Sequence, residues 1–133
     1  MPIATWTSEL ETGHPMVDHQ HQTLFGMIND LHHAIIGGHG PEQVGPVLKS
    51  LTRYTVQHFQ TEESLMRTYA YPDFTEHKKA HDALVEKVET LVQRFDAGDT
   101  VMPSELSRFL ADWLNHHIKS KDKLMIDWLK LTT

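Results

Sequence analysis

His58 and Glu62 stand four residues apart in the stretch Tyr54–Met66. On a helix that spacing puts an imidazole and a carboxylate on one face, one turn apart. Leu51, Leu65 and Met66 fall near the same stripe, so the pair is expected to point into a core. A carboxylate placed there is costly to desolvate unless a cation or a hydrogen bond holds it. The arrangement recurs: His77 and His81 are four apart, and His117 is followed by Asp122. His21 falls on the apolar stripe of an earlier segment. A lone histidine on such a stripe is more often a hydrogen-bonded core residue. The convergence of His21, His58, Glu62, His77, His81, His117 and Asp122 outweighs that reading and points to a metal centre.

Imidazole and carboxylate without sulfur suit iron, zinc, nickel or copper. Seven ligands exceed the capacity of one ion, so two ions are expected. In two roughly octahedral shells, five imidazoles, two bridging carboxylates and one bridging oxide or hydroxide fill about eleven of about twelve positions. A purely structural site does not need the position left open. The remaining histidines, of 11 in all, are read as structural or surface groups. His14 and His39 lie in loops, His19, His32 and His33 sit off the main stripe, and His116 is about 100° away from His117.

Four amphipathic helices must position these residues. Residues 1–17 read as an irregular arm, with Gly13 and Pro15 breaking any helix and Trp6 packing on the body. A first helix runs from about Asp18 to Ile36, where His21, Leu24, Phe25, Ile28, Leu31 and Ile35 follow helical spacing. Gly37–Pro41 is a turn, and Pro41 suits the first position of the next helix. That second helix reaches about Tyr69, with Val44, Val47, Leu48, Leu51, Tyr54 and His58 inward, and Tyr71-Pro72 stops it. Asp73-Phe74-Thr75-Glu76 has the form of a capping box and opens a third helix at about Phe74. Its inner face is His77, His81, Leu84, Val88, Leu91 and Phe95, and it ends at Ala97-Gly98-Asp99. Pro103 and Ser104 open a fourth, with Leu106, Phe109, Leu110, Trp113, Leu114 and His117 on its stripe. Asp122 then stands five residues beyond His117, about 140° round a regular helix, so a π-bulge is expected between them. The pattern predicts an all-α fold, an up-down-up-down antiparallel four-helix bundle with an irregular N-terminal arm, formed by a single domain over residues 1–133.

Composition sets outer limits. A chain of 133 residues, 39% hydrophobic and 23% charged, fits one soluble core. A formal charge of −6 leaves no basic face for nucleic acid. The absence of cysteine excludes disulfides, thiolate sites and cysteine nucleophiles. No apolar stretch is long enough to span a bilayer, and Met1–Trp6 lacks a charged segment followed by an apolar run. A cytoplasmic monomer with neither nucleic-acid nor membrane partner is expected.

The motifs D-x-Q-H at Asp18–His21, H-F-x-x-E-E-x-x-M at His58–Met66, H-x-x-x-H at His77–His81 and H-I-x-x-x-D at His117–Asp122 resemble those of the hemerythrin family, more narrowly its single-domain bacterial members. The resemblance spans nearly the whole chain. It implies two non-haem iron ions with a bridging oxo or hydroxo group. His77, His81 and His117 would hold one iron and His21 and His58 the other, with Glu62 and Asp122 bridging. It further implies reversible dioxygen binding at the iron with the open position, by a carrier, store or sensor whose protein recipient is unknown. Phe59, Trp113, Leu114 and Ile118 neighbour the ligands in sequence and are expected to form a dry wall around bound oxygen, a role compatible with plain bundle core. The competing reading is a di-iron enzyme, an oxidase or a peroxide or nitric oxide reductase. Ferritin-like oxidases present two Glu-x-x-His pairs and more carboxylates, whereas the one such match here, Glu11–His14, lies in a segment interrupted by glycine. A zinc-stabilised structural bundle leaves the open position unexplained.

Overall fold

In the computed structural model of the chain, which describes residues 3–38, 41–97 and 104–132, every regular element is a helix. After a 3-10 turn at Ser8–Leu10 come α1 (Pro15–Ile36), α2 (Pro41–Thr68), α3 (Phe74–Asp96) and α4 (Ser104–His117). A π-helical turn, Ile118–Asp122, joins α4 to α5 (Lys123–Thr132). His39 and residues 98–103, where the sequence places the end of the third helix and the start of the fourth, lie outside the described residues.

The apolar stripes fix the packing. α1 lies against α2 and α4, and α2 against α3. Val17 from the start of α1 packs with Met66 from the end of α2, and with Met125, Ile126 and Leu129 of α5. Phe74, at the start of α3, joins the same cluster. Neighbouring helices therefore run antiparallel, giving the up-down-up-down bundle that the stripes predict.

Local chemistry sets the helix ends. α1 starts at Pro15, three residues before the sequence-based boundary, because proline at the first helical position leaves no N–H wanting a partner. The His14 ring caps it, its Nδ1 accepting from the Val17 N–H at 3.3 Å. Asp18 is freed to tie down the arm: its carboxylate accepts from the Thr12 N–H and hydroxyl and from the N–H of Gly13, which turns at φ +89°. Lys130 Nζ donates to the Thr12 carbonyl and Lys123 Nζ to that of Glu9, lashing the arm to α5.

The end of α2 is a Schellman motif built on alanine. Ala70 takes the left-handed conformation, φ 54°, so the Tyr71 N–H reaches the Met66 carbonyl and the Ala70 N–H that of Arg67. Tyr71 and Met66 then pack together, the apolar contact that usually accompanies this turn. The capping box expected at Asp73–Glu76 does not form. Asp73 has φ −95° and ψ 22° rather than an extended backbone, and its side chain makes no cap; its carbonyl accepts from the His77 N–H instead.

The π turn settles the slip in register beyond His117. The Lys123 N–H donates to the Ile118 carbonyl five residues back, while the backbone on both sides stays right-handed helical. One extra residue is absorbed without breaking the rod, so Asp122 and Met125 rejoin the buried face.

The buried apolar side chains form two clusters. The larger gathers Leu24, Phe25, Ile28, Leu31, Leu48, Leu51, Phe59, Leu84, Leu110, Leu114 and Ile118 among others. The smaller holds Val17, Met66, Tyr71, Met125, Ile126 and Leu129. Between them α1, α2, α3, α4 and the π turn each present buried ionisable residues.

Candidate metal centre

Seven ionisable side chains form a layer, His21 from α1, His58 and Glu62 from α2, His77 and His81 from α3, His117 from α4 and Asp122 from the π turn. Each is at most 3% exposed. The two carboxylates stand in the middle and divide their oxygens. Glu62 Oε2 lies 3.2 Å from His21 Nε2 and 2.9 Å from His58 Nε2. Glu62 Oε1 lies 3.5 Å from His77 Nε2 and 3.1 Å from His81 Nε2. Asp122 Oδ2 faces His21 Nε2 at 3.0 Å, and Oδ1 faces His77 and His117 at 3.0 and 3.1 Å.

Hydrogen bonding does not satisfy this set. His58 Nε2, Glu62 Oε1 and Asp122 Oδ2 have no hydrogen-bond partner although all are buried, and His21 Nδ1 is also unpartnered. His58 Nε2 is 2.9 Å from Glu62 Oε2 yet makes no hydrogen bond with it. His81 Nε2 and His117 Nε2 approach to 3.1 Å. Orphaned lone pairs gathered this closely suit a cation between them. An octahedral shell with bonds of about 2.1 Å has neighbouring donors about 3 Å apart, the separation found here. The donor atoms fall into two groups, Glu62, His77, His81, His117 and Asp122, and His21, His58, Glu62 and Asp122, sharing both carboxylates.

Left to the protein's own charges, the layer behaves as buried ion pairs. Burial works against a charged His21, but hydrogen bonds and charge from Asp122 and Glu62 outweigh it and raise its pKa to about 9. His77 is raised to about 9 by the same balance. Burial opposes ionisation of Glu62, yet the His58 charge and hydrogen bonds from His21, His58 and His77 hold its carboxyl well below the usual range. Burial and the Glu62 charge oppose ionisation of Asp122, and His117 and His21 overcome both, so it too is pulled down.

Residues 12–129 match the hemerythrin HHE cation binding domain. The chain belongs to the hemerythrin family. It is 40% identical over 125 residues to the bacteriohemerythrin of Methylococcus capsulatus, covering 93% of this chain and 95% of that one. It is 36% identical over 127 residues to the bacteriohemerythrin of Pseudomonas aeruginosa, covering 96% and 82%. A crystal structure of wild-type hemerythrin superposes with a TM-score of 0.86 at 40% identity, over 90% of this chain and 92% of that one.

Within this member of the family, the rings expected to wall the site take distinct positions. Phe59 stacks on His81, centroids 3.8 Å apart and planes within 3°. Trp113 stacks on His117 at 4.5 Å and 11°. Both, with Leu114, line an apolar cavity of about 30 Å³ that also touches Leu24 and Leu51. Ile118 is fully buried in the π turn but does not line the cavity. His19, His33 and His116 are exposed, and half-buried His32 holds Ser107 Oγ at 2.7 Å.

Two residues of the site escape sequence reasoning. Gln20 Oε1 lies 2.6 Å from His58 Nδ1, and Glu63 Oε2 lies 3.0 Å from His81 Nδ1. By accepting the Nδ1 proton, each leaves the Nε2 lone pair facing the layer. Their only signal in the sequence is adjacency: Gln20 precedes His21 and Glu63 follows Glu62, both inside the motifs quoted above.

Proposed function

We propose that this chain binds dioxygen reversibly at a non-haem di-iron centre, with an oxo or hydroxo group completing the bridge, and serves as a carrier, store or sensor module. The supporting observation is the division of the carboxylate oxygens. Glu62 Oε1 and Asp122 Oδ1 face three imidazoles, whereas Glu62 Oε2 and Asp122 Oδ2 face only two. His77, His81 and His117 would hold one iron, His21 and His58 the other, and the two-imidazole side has a position to spare. An iron pair bound there would supply the redox chemistry of dioxygen binding.

The chain's own residues do the rest. Gln20 and Glu63 fix the tautomers of His58 and His81. Phe59 and Trp113 clamp the imidazole planes of His81 and His117. Phe59, Trp113 and Leu114 wall the layer from water, and the adjoining apolar cavity suits a small neutral gas better than water, which needs polar partners. Five imidazoles with two carboxylates bring little negative charge, which favours binding over oxidative chemistry. Among the described residues no helix is long and apolar enough to cross a membrane.

The test is metal content together with the visible spectrum of the reduced protein before air, after air and after deoxygenation. About two irons per chain and a spectrum that returns are expected. His77→Ala/His81→Ala should lose iron and His116→Ala should keep it. Stoichiometric iron in the double variant would refute the ligand set, and a spectrum indifferent to air would refute the function.

A further inference from the structure

The two sides of the layer are supported by different chemistry. On the three-imidazole side the Nδ1 of His81 faces a carboxylate, Glu63 Oε2 at 3.0 Å, and Glu63 is itself buried. On the two-imidazole side the Nδ1 of His58 faces a neutral amide, Gln20 Oε1 at 2.6 Å. The Nδ1 of His21 is buried with no hydrogen-bond partner. Ring packing divides the same way. Phe59 lies flat on His81 and Trp113 on His117, while the ring contacts of His21 and His58, with Trp6, Phe59 and each other, are tilted or edge-on. The central carboxylates do not create this difference. Glu62 and Asp122 each turn one oxygen to either side, and each side keeps one that is unpartnered, Glu62 Oε1 and Asp122 Oδ2.

An imidazole whose Nδ1–H is held by a carboxylate is a stronger Nε2 donor than one bonded to an amide, because the charge-assisted hydrogen bond moves more electron density into the ring. The Glu63 contact is the longer of the two, but the amide of Gln20 carries no net charge. A carboxylate one imidazole away also attracts a dication directly. Rings already held flat lose less freedom on binding. We propose that Glu63 makes the position bounded by His77, His81 and His117 the tighter one, filled first by a divalent metal ion, and that Gln20 leaves the position of His21 and His58 to fill second and exchange faster. The centre then passes through a one-metal form and accepts two different divalent ions in a fixed order. Glu63 and Gln20 are positioning residues, each acting through an imidazole. The inference rests on the two-ion reading of the layer.

The experiment loads the full chain, stripped with a chelator, with cobalt(II) and counts the paramagnetically shifted imidazole N–H signals by proton NMR. Three are expected after one equivalent and all five after two. One equivalent of diamagnetic zinc followed by one of cobalt(II) should give only two. Chelator competition should resolve two dissociation constants at least about 10-fold apart. Glu63→Gln keeps a hydrogen-bond acceptor and removes the charge, so it should weaken the tighter constant by about 10–100-fold while the circular dichroism stays helical. Gln20→Glu should tighten the weaker constant, and the two exchanges together should close the gap. Five signals rising together in the unaltered chain, or the pair ahead of the three, would overturn the proposal without recourse to any variant. Unchanged constants in Glu63→Gln would overturn it as well, since an uncharged acceptor preserves a purely structural role. Capacity for a single metal at saturation would overturn the two-ion reading and the proposal with it. Capacity for two, filled together, would overturn the loading order alone.

Discussion

Metal uptake should expel protons, and their number follows from the charges in the layer. Glu62 and Asp122 are held ionised, and in their company His21 and His77 each titrate at about 9. In protein stripped with a chelator at pH 7 both imidazoles are therefore cationic, each beside a buried carboxylate. A metal ion needs the same Nε2 lone pairs, so loading should release about two protons per chain; a bridging water that ionises would add a third. With two protons displaced, apparent affinity should rise about 100-fold per unit between pH 7 and pH 8, or about 2.7 kcal/mol. Titration calorimetry in two buffers of different ionisation enthalpy measures the count, with anaerobic ferrous iron or with zinc. Uptake at pH 7 without proton release would mean neutral imidazoles and would refute the reasoning. Stability should follow the same sign. A folded-state pKa raised above about 6.5 stabilises the fold below that value, and the benefit is lost as pH rises through about 9. The melting temperature of the stripped protein should thus fall from pH 7 to pH 9. The loaded protein should show the opposite slope, because bound metal keeps the imidazoles neutral and acid displaces it.

The other predictions concern single side chains. Leu114→Ala should lower stability by about 2–5 kcal/mol, since the side chain is 3% exposed and its loss enlarges an existing cavity. Leu114→Ala and Leu114→Asn should also shorten the life of the oxygenated form without removing iron; unchanged decay of its visible band in both would leave Leu114 as core alone. Glu63→Ala and Gln20→Ala should each weaken metal binding by about 10–100-fold in chelator competition while the circular dichroism stays helical. Ala70→Gly should raise stability by about 1 kcal/mol in urea unfolding, because the left-handed backbone at φ 54° strains alanine but not glycine.

The helices and the layer are legible in the sequence because both depend on spacing. Four interrupted apolar stripes place His21, His58, His77 and His117 inward, and the five-residue step to Asp122 betrays the π turn before any coordinate is known. What spacing cannot carry is competition between partners. Asp18 has the right chemistry to begin a helix but is drawn away by Thr12 and Gly13, so His14 and Pro15 begin it instead. Asp73-Phe74-Thr75-Glu76 has a capping-box pattern, yet the Schellman turn just before it sets the backbone, and Asp73 is not extended. Gln20 and Glu63 sit one residue off the proposed ligands His21 and Glu62, where a polar side chain usually means solvent. Only the approach of a neighbouring helix turns them toward His58 and His81.

The two apolar clusters on either side of the layer bear on how the bundle comes apart. Seven ionisable groups form a polar septum across the bundle, so among the described residues no continuous hydrophobic seam joins one cluster to the other. Held as proposed, a metal pair drawing on all four helical rods would be a transverse rivet through that septum, coupling two half-cores into one cooperative unit. Without it the smaller half must stand on six buried side chains, too few to hold alone against the entropy of the chain. That half contains the beginning of α1, the Schellman turn and all of α5, so it is the end that frays first. The mechanical integrity of α5 would therefore depend on the proposed ligands that precede it.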